Sequence, residues 1–180
     1  DADVAACHLS ALPASMTGPF DGLGFFDVLE HLTRPEELLR SASSLTRRGA
    51  TVVVTVPALG SLQSSVDVVS GHKRRYERGE ISALFTASGI EPIVEYGIFR
   101  ATSLVQRVFR LMARKSDNEN NRFTAVEAQQ ILVSQLRVPP AFINRMLGAV
   151  CSSELRLGFS SAASASGASL LAVGRVRRES

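Results

Sequence analysis

Apolar residues fall into short runs separated by amphipathic stretches, and the periods differ from run to run. Val4 to Leu9 is a short, partly apolar segment closed by Pro13, which reads as a strand. Gly18-Pro19 is a turn signal. Phe20 to Phe26 is apolar except for Asp21 and predicts a buried strand. Thr33-Arg34-Pro35-Glu36 has the form of a capping box with proline in the first turn. Leu38, Leu39, Ala42 and Leu45 follow at helical spacing, with Arg47 and Arg48 suited to the helix C-terminus and Gly49 to its exit.

Thr51 to Val56 is an uncharged β-branched run ended by Pro57, the pattern of a strand buried on both faces. Ala58 to Tyr76 reads as a long loop carrying Asp67, Gly71, His72, Arg74, Arg75 and Tyr76. Glu80 to Ser88 predicts a helix with Ile81, Leu84 and Phe85 inward and Gly89 as its stop. Ile93 to Phe99 alternates like a strand. Leu104, Val105, Val108, Leu111 and Met112 form an apolar helical stripe opposite Arg107, Arg110 and Arg114. Thr124 to Glu127 is a second capping box before Ala128, Ile131, Leu132 and Leu136. Phe142 to Leu155 reads as helical, and Ser169 to Val176 as a last strand before a basic tail. Alternating strands and helices give an α/β fold with a mainly parallel sheet. The division that follows is 1–99 as core, 100–160 as a helical insertion or lid, and 161–180 as the final core strand and tail.

Composition removes some possibilities. The chain has 180 residues, 45% hydrophobic and 21% charged, which is globular composition rather than that of a disordered chain. A net charge of +3 is too small to point to nucleic acid. The two cysteines, Cys7 and Cys151, and the three histidines show no metal-ligand spacing, so neither a zinc site nor a disulfide framework is expected. A reducing compartment is the default, and the location expected is cytoplasmic. The chain starts at Asp1 and runs almost at once into an apolar segment, as would a piece of a longer protein.

From Phe20 onward the motifs combine. Phe20-Asp21, five residues, then Asp27-Val28-Leu29-Glu30-His31 resembles the fourth strand, and the segment after it, of class I S-adenosylmethionine-dependent methyltransferases. The helix after Thr33, Gly49 and Thr55-Val56-Pro57 resemble the passage through that family's fifth strand. Gly71-His72-Lys73-Arg74-Arg75-Tyr76 is similar to the GHxRRY loop of one branch. Ser88-Gly89 resembles the entry to strand six, and Gly167 to Val173 resembles strand seven. The resemblance implies a Rossmann-like sheet ordered 3-2-1-4-5-7-6 with strand seven antiparallel, and S-adenosyl-L-methionine as cofactor. The family's Gly-rich loop after strand one and the acidic residue ending strand two find no match. Both would lie before Asp1, so the resemblance implies a chain lacking its first ~80 residues, about two βα units and a leader. The present chain would hold strands three to seven, incomplete at the N-terminus. Val4–Leu9 would then detach or pair directly with Phe20–Phe26.

The resemblance also suggests a site. His8 and Leu9 stand where the family usually has an aspartate and an apolar residue against adenine. Phe25, Phe26 and Asp27 would line the cofactor pocket at a strand's carboxyl end, though Phe25 and Phe26 also suit the core. His31, His72 and Tyr76 are the candidate catalytic residues. A histidine titrates near neutrality and can serve as a base where the acceptor must lose a proton. Glu30 suits a structural hydrogen bond pinning the turn, and adjacent Glu30 and His31 are not expected to form an acid–base pair. Arg74 and Arg75 suit salt bridges that fold their loop, with Tyr76 packed beneath it. The expected activity is methyl transfer to a small molecule, quinone-like or otherwise lipophilic, by the whole protein, this chain alone being inactive. The alternative is a degenerate, non-catalytic binding or scaffold module, which His8 in the adenine position favours. The basic helix at 101–114 either touches an anionic membrane surface or packs on its own domain.

Overall fold

Local pattern and sheet pairing agree over most of the core. The computed structural model describes residues 18–100, 103, 140–158 and 167–177. Its elements are β1 (Phe20–Phe26), a 3-10 turn (Leu29–His31), α1 (Pro35–Ser44), β2 (Thr46–Pro57), a second 3-10 turn (Gly60–Leu62), α2 (Ser65–Val69), α3 (Glu80–Ala87), β3 (Ile90–Ile98), α4 (Ala141–Gly158) and β4 (Ser169–Val176). The strands form one sheet in the order β1-β2-β4-β3. β1 and β2 are parallel, and β4 runs antiparallel to both β2 and β3. This is the 4-5-7-6 portion of the order implied by the resemblance, reversed strand included. The fold is mixed α/β with an open sheet.

The core lies on one face of the sheet. Val52, Val54 and Val56 of β2 are fully buried and alternate with exposed or half-buried neighbours. They join Leu170, Ala172 and Val176 of β4, Leu39 and Ala42 of α1, and Ile81 and Phe85 of α3 in one cluster. Each such large side chain contributes roughly 1.5–3 kcal/mol by leaving water. Gly174 lets the helix approach the sheet, because a Cβ there would stand 2.7 Å from the Phe85 ring and 2.5 Å from Ile90. The expectation that Thr51–Val56 is buried on both faces therefore holds for one face among the described residues. β1 departs further: only Phe25 is buried, and Phe26 is 64% exposed. Among the described residues β1 pairs with β2 alone.

Several boundaries move for identifiable reasons. The Thr33 capping box does not form. Arg34 is the N-cap of α1 and has no side-chain cap bond, while the Thr33 hydroxyl accepts a 2.6 Å bond from Lys73 Nζ. β2 starts at Thr46, so Arg47, Arg48 and Gly49 lie in the strand rather than at a helix exit. Gly49 takes φ 81° within an irregular register, where Phe20 pairs with Thr46 and Gly22 with Thr51. The expected loop after Pro57 contains α2. The N-cap of α3 is Gly79, in the left-handed region, and amides at this end are satisfied from another element: Glu95 of β3 accepts from Gly79 N–H at 2.6 Å and Ser82 N–H at 3.1 Å.

The strand expected at Val4–Leu9 and, apart from Ser103, the helices expected at 101–114 and 124–136 lie outside the described residues. The helix expected from Phe142 is α4, with Phe142, Met146 and Val150 exposed at helical spacing. No helix among the described residues is long and apolar enough to cross a membrane.

Candidate functional site

The parallel pair β1 and β2 ends at one edge of the sheet, and the segments leaving those ends build the site. Open α/β sheets bind ligands outside the carboxyl ends of their strands. Asp27 is the first residue past β1. Its amide donates to Thr55 O at 3.0 Å, which ties the exit of β1 to β2. Its backbone then turns through φ 54°, a left-handed conformation that aspartate tolerates better than most residues. The Thr55 hydroxyl donates to Asp27 Oδ1 at 3.3 Å. This turn directs the chain into the Leu29–His31 segment at the sheet edge.

The loop after β2 folds back over that segment. Lys73 N–H donates to Glu30 O at 2.9 Å, and Tyr76 Oη donates to Leu29 O at 3.0 Å. His31 Nδ1 lies 3.2 Å from Gly71 O, and because a carbonyl only accepts, Nδ1 carries the proton. Arg74 donates to Thr33 O at 3.3 Å. The GHKRRY loop and the DVLEH segment thus form one hydrogen-bonded unit.

Within the unit, Asp67 organises the loop interior. Its Oδ2 accepts from Ser64 N–H at 2.7 Å and Ser64 Oγ at 2.9 Å. Its Oδ1 accepts from His72 Nδ1 at 3.0 Å and from the Arg75 guanidinium at 2.9 and 3.0 Å. Arg75 also donates to Ala58 O at 3.0 Å. Burial pushes the Asp67 carboxyl up, but bonds from Arg75, His72 and Ser64 outweigh it and hold the group below its ordinary value. The carboxylate holds the His72 ring through Nδ1–H, and Nε2 lies 4.0 Å from Glu30 Oε1.

Glu30 is the anomaly of the site. Its side chain is 0% exposed, and among the described residues neither carboxylate oxygen has a hydrogen-bond partner in another residue. Burial raises its carboxyl above the ordinary range, and nearby Asp27 raises it further. Its own main-chain amide and the two imidazoles act in the opposite sense. The rings of His31 and His72 meet edge to face with centroids 4.9 Å apart. One ligand atom from each of Glu30, His31 and His72 lies within 4.8 Å of the other two.

The sequence-predicted residues separate accordingly. His31 and His72 come together, although 41 positions apart in the chain. Phe26 and Asp27 stand at the strand end, and Phe25 belongs to the core cluster. His8 and Leu9 lie outside the described residues. Tyr76 is 1% exposed with its hydroxyl committed to Leu29 O, so its geometry is that of a peg beneath the loop rather than a group at the mouth. Burial pushes its phenol up to about 12. Arg75 makes the loop-folding salt bridge expected of it.

Two corrections concern residues the sequence undervalued. Glu30 pins the turn through its main-chain carbonyl, while its carboxylate, without a partner in another described residue, stands in one cluster with His31 and His72. Glu30, His31 and His72 converge across the fold and not along the chain, so sequence spacing gives no sign of their grouping. Asp67 also escaped notice as a site residue, because its spacing to His72 matches no periodic element. Its place in a polar loop beside a histidine was the only available signal.

No protein-family model matches the sequence, and no curated protein matches it. Solved structures do. One is Haemonchus contortus phosphoethanolamine N-methyltransferase 2 in complex with S-adenosyl-L-methionine, at 13% identity and TM-score 0.45, covering 88% of this chain and 34% of that one. A second is a SAM-dependent methyltransferase from Archaeoglobus fulgidus, at 11% identity and TM-score 0.46, covering 89% and 62%. A third is the [4+2]-cyclase SpnF, at 13% identity and TM-score 0.48, covering 97% and 57%. The chain thus spans between about a third and three-fifths of the length of these three structures.

Proposed function

We propose that the chain carries part of the cofactor pocket and the acceptor side of an S-adenosyl-L-methionine-dependent methyltransferase acting on a small molecule. The observation that supports this best is the sheet order β1-β2-β4-β3 with β4 reversed. That order agrees with the one implied by the sequence motifs and puts the DVLEH and GHKRRY segments at one edge.

Phe26 and Asp27 would hold the cofactor. Phe26 offers an exposed aromatic face at the strand end, and Asp27 adds a carboxylate beside it. When bound, S-adenosyl-L-methionine supplies an electrophilic methyl group on a sulfonium. The chain's own part is alignment and exclusion of water. The clamped loop fixes His72 beside the mouth, held by Asp67 in the tautomer that leaves Nε2 able to accept a proton. Tyr76 serves as a positioning residue through Leu29 O. A lipophilic acceptor is supported by the exposed apolar stripe of α4.

Titration of S-adenosylhomocysteine into the chain by calorimetry tests the reading. Micromolar binding that Phe26→Ala weakens about tenfold, the worth of one good aromatic contact, is the expected result. No heat at millimolar ligand overturns a cofactor site in this chain.

A further inference from the structure

We propose that Glu30, His31 and His72 form a binding site for a divalent transition-metal cation of the zinc class. Three observations converge. A carboxylate with no exposed surface carries two oxygens that no other described residue bonds. Buried polar groups are nearly always paired, and a buried charge is retained where it is paired or coordinates a metal. Two imidazoles stand beside it, with ligand atoms of all three residues within 4.8 Å of one another. Each imidazole has its Nδ1 proton committed elsewhere, His31 to Gly71 O and His72 to Asp67, so in the neutral ring Nε2 is the nitrogen open to a metal. A carboxylate or carbonyl behind the histidine is the usual outer shell of a histidine metal ligand.

The chemistry of the donor set selects the ion. Two neutral imidazoles and one carboxylate suit zinc and its first-row neighbours, whereas magnesium requires an oxygen shell. Tetrahedral zinc bonds of roughly 2.0–2.2 Å place ligand atoms roughly 3.4 Å apart. His72 Nε2 and Glu30 Oε1 stand 4.0 Å apart and no pair of the ligand atoms is more than 4.8 Å apart, so the three draw closer when the ion binds. Three protein ligands leave a coordination position for water or an oxygen of a bound molecule, the arrangement of catalytic rather than structural zinc sites. The inference does not rest on methyl transfer, and while the ion is bound His72 Nε2 holds it instead of serving as a base.

The test is Zn2+ titration of the metal-stripped chain against a chromophoric chelator, with Co2+ absorption as a second readout. The expected result is one equivalent bound at micromolar or tighter affinity. Glu30→Gln and His72→Ala should each weaken it by about a hundredfold or more, and Asp67→Asn by about 10–100-fold, the usual loss on removing an outer-shell partner. Mg2+ should not compete. Cys7 and His8 adjoin in the sequence and could themselves hold zinc, so the variants decide the matter. Binding that survives both Glu30→Gln and His72→Ala, or no binding by the parent chain, overturns the site. Glu30→Gln keeps the test open if His72→Ala fails to fold. It removes a buried charge, so the metal-free chain should be at least as stable as its parent. It should also lose the rise in Tm that Zn2+ gives the parent chain.

Discussion

Asp67→Asn changes one atom at the centre of the GHKRRY loop, and the structure indicates how the damage arises. Both carboxylate oxygens only accept: Oδ2 from the amide and hydroxyl of Ser64, Oδ1 from His72 and Arg75. An asparagine has one acceptor and one donor, so either orientation sets an NH2 group against existing donors. The substitution also leaves the Arg75 guanidinium, only 12% exposed, without its counter-charge. Breaking a buried pair from one side costs about 3–5 kcal/mol. Arg75 keeps its bond to Ala58 O, and the amide keeps one good acceptor, so the lower end applies: about 3 kcal/mol. For a chain of this length that lowers Tm by about 6–12 °C. Urea unfolding at neutral pH, followed by far-UV circular dichroism, measures it. Arg75→Met should be partly non-additive with Asp67→Asn, because the double variant removes the stranded charge. Glu37→Gln at the exposed Arg34–Glu37 pair should leave the midpoint unmoved. A loss below about 1 kcal/mol, or strict additivity with Arg75→Met, refutes the account of the loop as held by a buried carboxylate.

The remaining predictions are narrower. Tyr76→Phe should cost about 1 kcal/mol, because Leu29 O retains the Leu32 amide as a second partner; a loss above about 3 kcal/mol would point to a larger role for the hydroxyl. The Tyr76 phenol, raised by burial from its ordinary 10.0 to about 12, contributes stability that is intact below pH 10 and is lost as pH rises through 12. Ultraviolet titration of Tyr96→Phe, which leaves Tyr76 as the only tyrosine in a chain without tryptophan, should show ionisation near that pH, and ionisation near 10 in the folded chain would contradict its burial. Gly174→Ala should destabilise by about 1–3 kcal/mol in urea unfolding, since its Cβ meets Phe85 and Ile90 at 2.5–2.9 Å; an unchanged midpoint would mean that the α3–sheet contact is loose.

By itself the sequence determined the parts whose causes are local. The β-branched run before Pro57, the helix burying Ile81 and Phe85, and the Ser169–Val176 strand are each specified by periodicity within about ten residues, because side-chain direction repeats with the backbone. The strand order that the sheet adopts was implied only by the family resemblance of the motifs around Phe20, His72 and Gly167. Tertiary structure decided where local preferences competed. Thr33 gave up its capping role to Lys73, and Arg47 and Arg48 entered a strand because pairing with β1 extends past the valine run. The site itself was decided there. His31 meets the His72 loop across about 40 positions, and the Tyr76 hydroxyl reaches Leu29 across 47. No periodicity spans such distances. Whether a glutamate is exposed or stripped of water beside two imidazoles depends on which strands are paired and which loop covers their ends. Only the folded sheet brings those ends together.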